Sequence, residues 1–171
     1  MRTLRDARFG AVPLITVSML MLAVPAHASA NPAGMRPTVE ACQPRVVDGV
    51  LPSWARAGFS ASRPRMPYEL GEQGRIAAIL WADPLEFPPP RTHNNKILWV
   101  SRVSSSGSPL VIDAQRMEGT KRVGRDVRRT VLGGPGPSII NLPAAGCWRL
   151  TLTWSGHSDA MDVRYVATAA S

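Results

Sequence analysis

The chain is poor in the residues that most often carry chemistry. Its 171 residues include three histidines, two cysteines and only two lysines, Lys96 and Lys121. His27 lies in the leader described below, so only His93 and His157 remain. No H-x-H or H-x-x-E-H spacing joins them, and a zinc site needs three or four converging ligands. Met35, Met66, Met117 and Met161 are too scattered to suggest a copper site. The two cysteines are not a C-x-x-C pair, which argues against a redox motif. No G-x-S-x-G sequence is present, so a nucleophile elbow is absent. Aromatic residues make up 6% of the chain. None interleaves with the main arginine cluster, as dedicated nucleic-acid readout would require. There is no heptad, no internal repeat, no cofactor motif and no apolar run long enough to span a bilayer.

The N-terminus is more informative. Arg2, Arg5 and Arg8 precede an apolar run from Ala11 to Val24, followed by Pro25 and the small residues Ala26-His27-Ala28-Ser29-Ala30. This is the layout of a cleaved secretory signal, residues 1–30, with cleavage after Ala28 or Ala30. The apolar run falls short of the roughly 20 residues a spanning helix needs, which disfavours an uncleaved anchor. No cysteine sits at the cleavage site for lipid attachment. No Arg-Arg pair precedes the run, so the general export route is expected. The predicted destination is secreted or cell-wall associated.

Cleavage after Ala30 removes three arginines and Asp6. It leaves 17 basic and 11 acidic residues, a net charge of +6. The remainder, Asn31 to Ser171, suits one domain. Cys42 and Cys147 both survive, and an even count in an exported chain favours a disulfide over two buried thiols.

Residues 31–67 read as an extended lead-in rich in proline and arginine, with Pro44, Pro52, Pro64 and Pro67 opposing a helix. Residues 68–167 read as about seven short strands. The segments are Arg75–Trp81, Lys96–Val103, Leu110–Arg116, Val123–Leu132, Ser138–Leu142, Cys147–Trp154 and Met161–Val166. The clearest is Cys147–Trp154, where Trp148, Leu150, Leu152 and Trp154 share one face. With Met161–Val166 it forms a terminal hairpin. Turn signals every 8–12 residues predict an all-β, Ig-like antiparallel sandwich. Its expected core is Ile97, Trp99, Trp148, Leu150, Leu152, Trp154 and Tyr165. Phe87-Pro88-Pro89-Pro90 reads as a loop, and residues 168–171 as a frayed tail.

Residues Pro137-Ser138-Ile-Ile-Asn-Leu-Pro143-Ala-Ala-Gly146-Cys147-Trp148-Arg149-Leu150 resemble a PS…LP..GCW+L motif. That motif marks small exported proteins of Gram-positive, actinobacterial type. The resemblance covers roughly residues 70–166 and is specific over 137–154. It implies an Ig-like sandwich and export, and it carries no activity, cofactor or catalytic residue. Some of those proteins have an apolar residue at the position of Cys147, so the disulfide is not implied by it. The motif also has a packing account: Gly146 permits a tight turn, and Trp148 plants a large apolar anchor.

Three constellations deserve a chemical reading. Ser155-Gly156-His157-Ser158-Asp159 gathers the residues of a triad, but five consecutive residues rarely converge, and a hairpin turn is expected. Glu69 and Glu72, with Gly71 between them, fall in an expected loop; a glycosidase would need two carboxylates across a cleft. Lys121, Arg122, Arg125, Arg128 and Arg129 form a basic cluster opposed by Asp126. It reads either as a solvated strand edge, charged against aggregation, or as a contact for polyanions. The expected function is a monomeric, non-enzymatic binding or accessory module at the cell envelope, its partner an envelope protein or an anionic wall polymer. The alternatives are a small envelope hydrolase or an inhibitor acting through residues 85–95.

Overall fold

A computed structural model describes residues 41–168. The predicted signal segment 1–30, the first part of the lead-in and residues 169–171 lie outside the described residues. Ten strands form two five-stranded sheets: β1 Val47–Val50, β2 Arg65–Leu70, β3 Ile76–Leu80, β4 Leu85–Phe87, β5 Lys96–Ser101, β6 Leu110–Glu118, β7 Lys121–Val131, β8 Pro137–Ile139, β9 Gly146–Trp154 and β10 His157–Ala167. The first sheet runs β1-β2-β3-β5-β8 and the second β4-β10-β9-β6-β7. The all-β, two-sheet sandwich expected from turn spacing is the architecture found.

Three details differ from the sequence reading. Among the described residues there are ten strands rather than seven. The second sheet is mixed, because β4 runs parallel to β10, with Leu85 opposite Tyr165 and Phe87 opposite Ala167. A three-residue strand beside Pro88 carries no periodicity of its own, so it reads as loop. The lead-in is not merely extended: β1 and the start of β2 fall within residues 31–67 and join the first sheet. Pro67 is tolerated because β2 pairs with β3 only from Tyr68 onward, so Pro67 has a strand partner on one side alone, at Asp48.

The core between the sheets holds all seven predicted residues, together with Ile76, Leu80, Ile112 and Val163. Each core indole finds an acceptor: Trp99 donates to Ser138 Oγ at 2.9 Å, Trp148 to the Ala144 carbonyl at 3.0 Å, and Trp154 to Ser101 Oγ at 3.0 Å. Large rings are thus buried without stranding a donor. A second cluster, Leu51, Ala55 and Ile79, packs with Trp54, Phe59 and Tyr68. Ile76 and Ile79 of β3 therefore bury against different clusters. This explains its unbroken apolar run, Ile-Ala-Ala-Ile-Leu, where a half-exposed strand would alternate.

β7 is a strand, as its β-branched residues suggest, and it bulges against β6 where the register shifts between Ala114 and Arg116. Gly124 lies in this stretch with φ of 70°, a conformation that glycine adopts without Cβ strain.

Candidate functional site

Residues 41–46 form a strap across the second sheet. The Cys42 N–H donates to the Gly119 carbonyl in the β6–β7 turn, and the Cys42 sulfur is bonded to Cys147 on β9. The Gln43 N–H donates to Asp162 Oδ2 on β10 at 2.7 Å, and the Arg45 N–H donates to Glu69 Oε1 on β2 at 2.8 Å. The expected disulfide is present, and it fastens the strap to the sheet. Side chains along the strap alternate: Gln43, Arg45 and Val47 line one cleft, Pro44 and Val46 another.

The first cleft has a volume of about 260 Å³. Its polar wall is built by Glu69 from β2, Glu72 from the β2–β3 turn, Arg149 from β9 and Asp162 from β10. Asp162 and Arg149 stand opposite each other in the β9–β10 register. Arg149 Nε donates to Asp162 Oδ1 at 3.0 Å, and its Nη2 donates to Glu72 Oε1 at 2.8 Å. Asp162, 5% exposed, therefore accepts from both Arg149 and the strap. Val47, Tyr68, Leu70 and Met161 complete the wall.

Glu69 is the exception in this network. It is 2% exposed, and its Oε2 has no hydrogen-bond partner. An unpaired buried polar oxygen costs about 1–3 kcal/mol, more when charged. Burial pushes the Glu69 carboxyl up to about 7; the Arg45 N–H opposes this, Asp162 adds to it, and the Arg45 charge opposes it. In the folded chain Glu69 thus keeps a proton that the unfolded chain, at the ordinary value of 4.5, has released. This acid destabilises the fold once ionised, so its effect appears as pH rises. The charged groups around it are Arg45, Glu72, Arg149 and Asp162. Relative to Glu69→Gln, the wild type is expected to lose on the order of 3 kcal/mol between about pH 4.5 and pH 7, and nothing further above that. Urea unfolding of both proteins across this range checks it. Parallel pH profiles would show that Glu69 is not the titrating group.

The sequence placed Glu69 in a loop; it lies in β2, because Met66-Pro67-Tyr68-Glu69-Leu70 extends as a strand under the strap. Glu72 does lie in the turn that follows. Asp162 lies on β10 and Arg149 on β9. No local signal marks the three as neighbours.

Ser155–Asp159 is a hairpin turn running into β10, and its side chains diverge. Ser155 Oγ lies 2.9 Å from Ser108 Oγ and accepts from the Ser106 N–H at 3.0 Å. His157 packs its ring near Trp154. Asp159, 2% exposed, accepts from the N–H groups of Gln73, Arg75 and Ala160. It pins the β2–β3 turn to β10 and stands apart from the other two members of a triad. His93 Nε2 lies 3.3 Å from Glu86 Oε1. Among the described residues, no group of three or more His, Cys, Asp or Glu could hold a metal ion.

The basic cluster lies on β7, an edge strand. Arg122 pairs with Asp126 at 3.0 Å, and Arg128 holds Asp113 through two bonds of 2.7 and 3.0 Å. Arg129, on the other side of the strand, donates to the Asn141 carbonyl. Lys121 and Arg125 are exposed. The strip is therefore split across both strand faces and largely engaged within the protein.

No protein-family model matches the chain, and neither a curated protein nor a solved structure does. The disulfide is compatible with an extracytoplasmic protein. No helix among the described residues is long and apolar enough to cross a membrane.

Proposed function

We propose that this chain is an exported, non-enzymatic sandwich of Ig-like type that serves as a binding module at the cell envelope. Its working site is the strap cleft rather than the β7 edge. The observation that carries this reading is Glu69: a cleft-lining residue with a buried carboxyl, one oxygen of which has no partner. Such a group weakens the fold, and a ligand that met it would recover the loss. The signal layout of residues 1–30 and the Cys42–Cys147 bond support an oxidising destination. The engagement of Arg122, Arg128 and Arg129 within the protein argues against an anionic wall polymer as the main contact and favours an envelope protein or peptide.

Purified mature protein mixed with isolated cell walls of its host is expected to sediment with them. Glu69→Gln should reduce the pelleted fraction at least tenfold. Wild-type protein that stays in the supernatant at low and physiological salt would overturn the reading.

One observation favours a second reading, a small hydrolase. A carboxyl held protonated near neutrality beside Asp162 has the character of a general acid. Against it, Asp162 and Glu72 are both bound to Arg149, leaving neither free as a base. Release of soluble fragments from the same walls, abolished by Glu69→Gln, would favour the hydrolase.

A further inference from the structure

We propose that the strap cleft binds a primary ammonium group on a short aliphatic stem, with Glu69 Oε2 as its acceptor. The inference rests on the reading of this cleft as a ligand site and names the ligand's chemistry.

Three observations converge. The first is geometric. Glu69 lines the cleft, its Oε1 already accepts the Arg45 N–H, so the side chain is oriented, and its Oε2 is the buried carboxyl oxygen left without a partner. The second is the balance of charge. The described lining carries two cations, Arg45 and Arg149, against three carboxyl groups, Glu69, Glu72 and Asp162, and Arg149 is shared between Asp162 and Glu72, so an ionised Glu69 leaves one negative charge in excess. The carboxylate of Glu69 has no such cation in contact with Oε2. A ligand bringing both a positive charge and an N–H donor fits that oxygen better than a neutral hydroxyl or an anion. The third is size and lining. About 260 Å³ lies just below the usual range of small-molecule pockets. The walls offered by Val47, Tyr68, Leu70 and Met161 suit a few methylenes. A divalent cation fits poorly, because it demands several oxygen ligands and no group of three or more His, Cys, Asp or Glu among the described residues could hold one.

The same ammonium chemistry occurs on free small amines and on amine-bearing peptides of the wall. The probe is n-butylammonium, with n-butanol as its neutral isostere, followed by amide NMR of the full mature protein. Butylammonium is expected to shift the amides of Arg45, Glu69, Gly71 and Asp162 saturably, and butanol should bind at least tenfold more weakly. In Glu69→Gln, the amide oxygen takes over the Arg45 N–H bond and the NH₂ group faces the ligand's own donors. That variant should lose at least tenfold in affinity while keeping the wild-type spectrum elsewhere. Val47→Trp, which places a larger side chain on the β1 wall of the cleft and leaves Glu69 itself unchanged, should lose binding as well. Equal binding of butanol, undiminished binding to Glu69→Gln, or no saturable shift with butylammonium would each overturn the proposal.

Sedimentation with N-acetylated walls separates the sources. Loss of pelleting identifies a wall-borne amine. Retained pelleting together with butylammonium binding identifies a free amine. Walls that pellet the protein while butylammonium fails to bind would sink the ammonium inference alone. Butylammonium binding without any wall sedimentation would sink the envelope target alone.

Discussion

Replacing both Cys42 and Cys147 with serine lowers the unfolding free energy by about 4–5 kcal/mol. The bond closes a loop with a sequence separation of 105. The chain-entropy account assigns roughly that value to a loop of this length. A small domain has about 5–15 kcal/mol in total, so the loss is a third of it or more. The local consequences point the same way. Cys42 is the covalent anchor of the strap, whose N–H groups also donate to Gly119, Asp162 and Glu69. Freed, it would withdraw two N–H donors from buried carboxylates. Denaturant unfolding of wild type and double variant gives the difference directly. Wild type in reductant should fall to the level of the variant. A loss below about 1 kcal/mol would mean that the strap stays in place without its bond.

The second large effect is at Gly71. A Cβ built there would stand 2.2 Å from Asp159 Oδ2, 2.3 Å from its Cγ and 2.7 Å from its Oδ1. The conflict is one of space, not of backbone torsion. Asp159 has little room to yield, because its carboxylate accepts from Gln73, Arg75 and Ala160. Moving it breaks charge-assisted bonds worth about 1.5–3 kcal/mol each. The turn itself is also tied down, since the Glu72 N–H donates to the Ala160 carbonyl at 2.7 Å. Gly71→Ala is therefore expected to cost about 3–5 kcal/mol, well beyond an ordinary surface substitution. Gly136→Ala is the control. Its nearest obstacle, the Gly134 carbonyl oxygen, lies 3.8 Å away. That change should stay within about 1 kcal/mol. Thermal unfolding of the two variants tests the pair, and equal melting temperatures would show that Asp159 is not fixed as described.

These two sites and the Glu69 cleft belong to one construction. The disulfide sets the strap over β9 and β10. Asp159 sets the β2–β3 turn against β10. Between those two fixtures Glu69 and Glu72 are brought up to Arg149 and Asp162. A cleft held at both ends keeps its shape before a ligand arrives, which reduces the entropy lost on binding.

The strands that carry the core were legible because their signals are local. Trp148, Leu150, Leu152 and Trp154 alternate within nine residues of β9, and every one is buried. Period two is a property of the extended backbone itself, so it survives in any tertiary context. The turn residues around Gly133, Gly146 and Gly156 bracket those strands for an equally local reason. β4 was not legible, because three residues show no period, and its partner β10 is supplied from 80 positions away. β1 and β2 were masked by Pro44, Pro52, Pro64 and Pro67. Proline argues against helix and central strand, but it does not announce the one-sided pairing that admits it at Pro67.

The sequence by itself determined that this is an all-β chain with turns at its glycines, a tryptophan-rich core and a pair of cysteines suited to an oxidising compartment. It also determined what is scarce: histidine, clustered ligands and a nucleophile motif. Tertiary structure alone decided which polar residues meet. Glu69 and Arg45 are 24 positions apart, Asp162 and Gln43 are 119 apart, and Arg149 and Glu72 are 77 apart. Periodicity reports which way a side chain faces along its own strand. Whether that face ends in solvent, in a core or beside an unpaired carboxylate depends on which distant strand is laid against it. For this protein that depended on a strap, a disulfide and a single glycine against Asp159.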